Sequence, residues 1–237
     1  MKNMSNLSVS EFRNFFKYYA DLPHQQDAIG ILFDDLPLSL KDEEHPWVKR
    51  YRTTPEKSVA DNPLSVPYFS QRDNLSGTGY RECFSSSCAM VANYWLPEVI
   101  TTDDQYNDIR SQYGDSTDAQ AQVRALRSLG LNADFISNGT IAGLKQQIDE
   151  GYPTPVGWLH HGRPDNPTGN GHYAVVIGYD DDGFILNDPY GECNLFIGEY
   201  NISKDGSNVH YSYGLWVKRW IVEGDGSGWM VKISAER

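Results

Sequence analysis

Two stretches of the chain carry side chains suited to covalent attack on an amide. Glu82-Cys83-Phe84-Ser85-Ser86-Ser87-Cys88-Ala89-Met90 sets a cysteine at the mouth of a helix, and Gly171-His172-Tyr173-Ala174-Val175-Val176-Ile177-Gly178-Tyr179 sets a histidine at the start of a buried strand. Asn187-Asp188-Pro189 follows a turn later and supplies a carboxylate. A thiol nucleophile, an imidazole base and an acid to orient the imidazole are the working parts of cysteine hydrolases.

Periodicity separates the two cysteines of the helix. Phe84, Cys88, Val91 and Trp95 fall four, three and four apart, so they make one apolar stripe, and Cys88 reads as a packed core thiol. Cys83 lies at the helix start, where unused amides and the positive end of the dipole favour a thiolate. The plain alternative is an ordinary half-buried thiol. On the histidine strand, His172, Ala174, Val176 and Gly178 share a face of small side chains, which would let the cysteine helix approach, while Tyr173, Val175, Ile177 and Tyr179 share the bulkier one. A lone histidine at a strand start is ordinarily structural; the acid after the turn gives this one its interest.

Asp180-Asp181-Asp182-Gly183 is a hairpin signal, with the glycine expected to supply a positive φ. Parity then decides the chemistry. An odd loop of three or five residues puts Ala174 opposite Asp188 and on the face of His172, whereas an even loop turns Asp188 away. The odd loop is the expectation, with Pro189 ending the strand. The acidic run also admits a calcium loop, against the plainer solvated turn. An attacked carbonyl needs oxyanion donors. The Cys83 amide is one, and Gln71, in Tyr68-Phe69-Ser70-Gln71-Arg72-Asp73, is the best side-chain candidate. Trp158, His160 and His161 are candidates for lining a substrate cleft, with a core role the alternative for Trp158.

These parts require a scaffold. Leu64 onward alternates strand and helix patterns. Val66-Pro67-Tyr68-Phe69 reads as an edge strand. Helices are expected from Cys83 to Trp95, after the Ser116-Thr117-Asp118 cap as far as Gly130, and from Thr140 to Glu150 with Gly151 closing it. Strands are expected at Ala133–Ile136, Pro155–Leu159, Tyr173–Tyr179 and Phe184–Leu186, with one or two more between Leu215 and Ile233. Ahead of them, the capping box Ser8-Val9-Ser10-Glu11 precedes Phe12, Phe15, Phe16 and Tyr19 at helical spacing. Further short helices are expected over Gln26–Phe33 and from Pro46. The chain thus divides into a small helical module, 1–58, and a larger α+β domain, 59–237, whose central antiparallel sheet packs against helices.

Composition narrows the function. A formal charge of −12 over 237 residues repels nucleic acid, and 39% apolar residues suffice for a core. No apolar stretch approaches the roughly 20 residues of a membrane span. The opening Met1-Lys2-Asn3-Met4-Ser5-Asn6 lacks the apolar centre of a signal peptide, so a cytoplasmic location is expected. Three cysteines, 83, 88 and 193, do not make a disulfide scaffold. With His172 they could in principle bind zinc, but their spacing matches no paired-cysteine knuckle. No metal or organic cofactor is expected.

Val66-Pro67-Tyr68-Phe69-Ser70-Gln71, Cys83 to Met90, His172 to Tyr179 and Asn187-Asp188-Pro189, in that order, resemble the papain-like bacteriocin-processing (double-glycine leader) peptidases and their stand-alone relatives, over roughly residues 64 to 220. The resemblance implies a papain-like cysteine peptidase fold, with Cys83 as nucleophile, His172 as general base, Asp188 as its orienting acid and Gln71 in the oxyanion hole. Phe84-Ser85-Ser86 departs from the family's usual glycine, proline and threonine, and Arg72 to Glu82 is a long insert. Phe15-Phe16-Lys17-Tyr18-Tyr19 and Leu22-Pro23-His24-Gln25 resemble short modules of phage wall-lytic enzymes. The expectation is a cysteine peptidase acting on peptidoglycan peptides, as a phage-type endolysin that waits in the host cytoplasm for a holin. The alternatives are an intracellular protein- or leader-peptide-processing protease, and a non-catalytic binding module.

Overall fold

A computed structural model describes residues 62–235, from which the architecture follows. The helices expected within 1–58 lie outside the described residues. Cys83–Trp95 forms α1, which stops before Pro97. Asp103–Ser111 forms α2, capped by the Thr102 side chain on the Gln105 amide. Ala119–Ser128 forms α3, capped by Asp118, and the chain leaves it through Gly130 at φ +86°. After β1 (Leu131–Gly139), the Thr140 side chain caps α4 (Ile141–Asp149), which exits through Gly151 at φ +82°.

The remaining strands are β2 (Thr154–Trp158), β3 (His161–Arg163), β4 (Asn166–Thr168), β5 (His172–Tyr179), β6 (Gly183–Asn187), β7 (Glu192–Asn194), β8 (Glu199–Asn201), β9 (Val209–Ser212) and β10 (Gly228–Ala235). Among the described residues one six-stranded antiparallel sheet runs β1-β10-β2-β5-β6-β9, and β3–β4 and β7–β8 form separate two-stranded hairpins. The region expected to hold one or two late strands holds one, β10. Tyr213–Trp220 before it is helical. Val66-Pro67-Tyr68-Phe69, expected as an edge strand, joins no ladder. Pro67 has no backbone amide to donate, and the Asn187 side chain reaches across through Nδ2 to the carbonyls of Val66 (3.1 Å) and Pro67 (3.4 Å) instead. No helix among the described residues is long and apolar enough to cross a membrane.

The β5–β6 hairpin corrects the parity argument. Asp180 donates its amide to Gly183 O at 3.0 Å, so the loop proper is Asp181-Asp182 and is even. Near the turn Tyr179 pairs with Phe184 and Gly178 with Ile185; beyond Ile177 the register shifts, and Val176 pairs with Leu186 and Val175 with Asn187. Ile177 is therefore a β-bulge, and its carbonyl accepts from Leu64 N at 2.7 Å. The extra residue undoes the even loop, and one step on Ala174 faces Asp188. Gly183 does not take a positive φ. It is needed for space, since a Cβ there would sit 2.5 Å from Tyr211 O.

The cysteine helix also docks differently from expectation. Phe84 stacks flat on Tyr173, centroids 3.5 Å apart and planes 3° apart, so α1 meets the bulkier face of β5. Gly157, paired with Tyr173, makes this possible, because a Cβ there would lie 2.8 Å from the Tyr173 ring. The His172 face is filled instead by Trp158, Trp216, Phe184 and Tyr211 in edge contacts. Beyond the half-buried Cys83, α1 is buried on every side from Phe84 to Ala92, Ser85, Ser86 and Ser87 included, rather than along one stripe.

The bulge gives a stability test. A Cβ on Gly178 would lie 2.7 Å from Asn62 Oδ1 and 2.8 Å from Pro63 Cα. Gly178→Ala is expected to lower unfolding stability by about 1–3 kcal/mol in urea titration, the usual cost of overpacking; an unchanged midpoint contradicts this packing.

Candidate active site

Cys83 is half-buried at the first position of α1, whereas Cys88 is fully buried and Cys193 is 4% exposed. Burial pushes the Cys88 thiol far up, and pushes Cys193 up to about 12 with the Asp188 charge adding to it. His172 heads β5 at 4% exposure, and its Nε2 lies 2.7 Å from Oδ1 of the wholly buried Asp188. That bond leaves Nδ1 as the nitrogen for Cys83, which stands within hydrogen-bonding reach of the ring. Burial alone would lower the basicity of His172. The Asp188 charge and hydrogen bond, then the Cys83 thiol, outweigh it and raise the imidazole to about 10.

Asp188 is held from several directions. Its Oδ1 also accepts from Tyr190 N at 3.1 Å, and its Oδ2 from the Tyr211 hydroxyl at 3.1 Å. Its own amide donates to Gly206 O at 2.8 Å, and a Cβ on Gly206 would lie 1.9 Å from Asp188 O. Only glycine allows that approach. The Tyr68 hydroxyl donates to Asp188 O and accepts from Gly206 N.

Gln71 stands in a 3-10 turn (Gln71–Asp73) at 1% exposure, with its amide tied to Pro189 O at 3.0 Å. The Arg72–Glu82 insert folds back on it: Gln71 Nε2 donates to Gly79 O at 2.7 Å, while Oε1 has no protein partner. The insert is organised by Glu82, which the sequence reading did not single out. This residue precedes Cys83 at 1% exposure, and its carboxylate accepts from Asn74, Ser76, Thr78 and Asn107. Burial works against its charge, but these donors hold the carboxyl below its ordinary range. The polar residues at 74, 76 and 78, all upstream of one glutamate, were the available signal.

A cleft of about 640 Å³ opens beside Cys83, bordered by Phe84, Gly157, Tyr173, Trp220 and Trp229. Trp158 borders it too, yet is 2% exposed; its ring is spent on edge contacts with His172, Tyr211 and Trp216. His160 and His161 are not among the residues lining this cleft. His160 packs 5.4 Å from the His172 ring, and burial followed by the His172 charge pushes it down to about 3, so it stays neutral. His161 sits against the β7–β8 hairpin with Nδ1 3.1 Å from Gly198 O. Among the described residues no group of three or more histidine, cysteine or acidic side chains could hold a metal ion, and Cys83, Cys88, Cys193 and His172 are not assembled into one. In the acidic turn, Asp180 Oδ1 is taken by the amides of Asp182 and Gly183 and by His210.

The residues and their order place the chain among known proteins. Residues 63–208 match the Peptidase C39-like family, and the chain belongs to that family, a group of cysteine peptidases with the papain-like α+β fold. Solved structures similar to it include the double glycine motif protease of an AMS/PCAT transporter in complex with its leader peptide (18% identity, 74% of this chain and 95% of that one, TM-score 0.45). A C39-like peptidase from Bacillus anthracis (17%, 72% and 95%, 0.49) and the peptidase domain of Streptococcus ComA (19%, 65% and 92%, 0.42) are also similar. No curated protein sequence matches significantly.

Exposure separates the three thiols. In the folded protein, iodoacetamide is expected to modify Cys83 well before Cys88 or Cys193, as read by peptide mass. Equal labelling of all three without denaturant contradicts the burial described.

Proposed function

We propose that this protein hydrolyses peptide amide bonds by acyl transfer through Cys83, His172 and Asp188. One observation carries the reading: a buried 2.7 Å hydrogen bond commits one nitrogen of His172 to Asp188 and leaves the other for a half-exposed thiol beside a cleft. His172 takes the proton of the Cys83 thiol, and its raised basicity suits it to hold that proton as the imidazolium. The thiolate attacks the scissile carbonyl, and the C–N bond breaks as the imidazolium gives its proton to the departing amine. Water then loses a proton to His172 and attacks the thioester, releasing the acid and restoring the thiol. The Cys83 amide, unused by the helix, and the second hydrogen of Gln71 Nε2 are the donors assigned to the oxyanion. Asp188 holds the imidazole tautomer and offsets its charge.

The substrate assigned is a peptidoglycan stem or cross-bridge peptide, in a phage-type endolysin that reaches the wall by way of a holin. This rests on the resemblance of Phe15–Tyr19 and Leu22–Gln25 to modules of wall-lytic enzymes.

Purified sacculi separate the possibilities. Wild type and Cys88→Ala are expected to release new free amino groups, with Cys88→Ala less stable by about 1–2 kcal/mol from the lost core sulfur. Cys83→Ala is expected to lose at least about 10³-fold. Intact sacculi together with cleavage of unfolded protein contradict the wall substrate alone. An active Cys83→Ala contradicts the acyl-transfer reading itself.

A further inference from the structure

Tyr211 lies on β9, two strands from His172, at 2% exposure. Its hydroxyl has two partners. Cys193 N donates to it at 2.8 Å, and it lies 3.1 Å from Asp188 Oδ2. An amide can only donate, so the phenol oxygen is the acceptor in the first contact. The phenol's single proton is thereby free for the carboxylate, and the direction of the second bond is set. Burial and the neighbouring Asp188 charge keep the phenol protonated, so it remains a donor throughout the working range. The ring cannot turn aside, because Phe184 pairs opposite it in the ladder and Trp158 meets it edge-on at 5.8 Å.

We propose that Tyr211 is a positioning residue of the Cys83, His172 and Asp188 set, holding the Asp188 carboxylate by the oxygen that His172 does not use. The inference rests on the acyl-transfer reading. Asp188 Oδ1 serves His172 and the Tyr190 amide, and Oδ2 would otherwise be a buried anionic oxygen with no donor. With the Tyr211 bond in place the carboxylate cannot rotate without breaking a charge-assisted contact, and some of its charge is drawn away from the imidazole. Tyr211 thus sets both where Asp188 points and how strongly it holds the proton on His172. The titratable groups that also face this pair are Cys83 from α1, His160 from the end of β2, Cys193 from β7, Tyr200 from β8 and Tyr68 from the leading segment.

The test uses iodoacetamide and the whole protein, so it needs no identified substrate. The rate of Cys83 alkylation against pH should rise in two steps, the first as the thiolate–imidazolium pair forms and the second as His172 loses its proton. In Tyr211→Phe the carboxylate charge is less shared, and the second step is expected to move up by roughly half a pH unit or more. In an Asp188→Asn background the same substitution is expected to move nothing, because the route through the carboxylate is gone. A second step that stays or falls in Tyr211→Phe, or that moves equally in both backgrounds, overturns the proposal. A wild-type profile with one step near the ordinary thiol range, about 8.5, instead overturns the acyl-transfer reading. Loss of the acceptor for Cys193 N could unfold Tyr211→Phe, so the wild-type hydroxyl proton is a second readout. A slowly exchanging Tyr211 signal by NMR that disappears in Asp188→Asn supports the bond, and a rapidly exchanging one overturns it.

Discussion

The hydrogen bond between His172 Nε2 and Asp188 Oδ1 is the constraint around which the domain is arranged. It joins side chains on adjacent strands that must share a face, and strand parity forbids this for the two-residue loop between them. The bulge at Ile177 supplies the missing residue, and the Leu64 amide satisfies the carbonyl that the bulge frees. Around that pairing the backbone closes in: Gly206 against Asp188, Gln71 on Pro189, and Asn187 tied to Val66 and to Asn208 N. A bond that pairs two groups of opposite charge potential inside a protein is stabilising only if every remaining lone pair is met, and here the Tyr190 amide and Tyr211 hydroxyl meet them.

Two other buried charges are met largely by neutral partners. Glu82 has no ion-pair partner among the described residues, yet four neutral donors surround its carboxylate, which binds the insert to the start of α1. Arg219 is fully buried and gives its guanidinium to the carbonyls of Leu159, His161, Gly162 and Leu195. It thereby clamps the segment after β2 to the β7–β8 hairpin, whose Tyr200 closes over His172 at 5.5 Å. Trp158 and His160 complete that enclosure, which excludes water from the His172–Asp188 pair and strengthens it.

The helix carrying Cys83, the strand headed by His172 and the caps at Asp118 and Thr140 were legible because each is a local signal. The α2 helix lacks an apolar stripe to announce it, although Thr102 and Gln105 stand at capping-box spacing. The short strands β3, β4, β7 and β8 carry too few residues for a period-two pattern. Helix docking on Tyr173 is not legible from side-chain size on β5 alone, which does not reveal that Gly157 opposite leaves room. The bulge and the Tyr211 contact depend on residues distant in sequence, whereas Asn74, Ser76 and Thr78 of the Glu82 shell are its near neighbours in the chain. No local pattern announces the bulge or the Tyr211 contact.

The proposed acyl transfer requires His172 to be an imidazolium held between Asp188 and Cys83 at neutral pH. Nitrogen-15 NMR titration of the His172 ring tests it directly. Both ring nitrogens should remain protonated well beyond pH 8, with deprotonation near the raised value of about 10 and a lower midpoint in Cys83→Ala. Titration close to the ordinary histidine value of about 6.5, unchanged by removing the thiol, would contradict it.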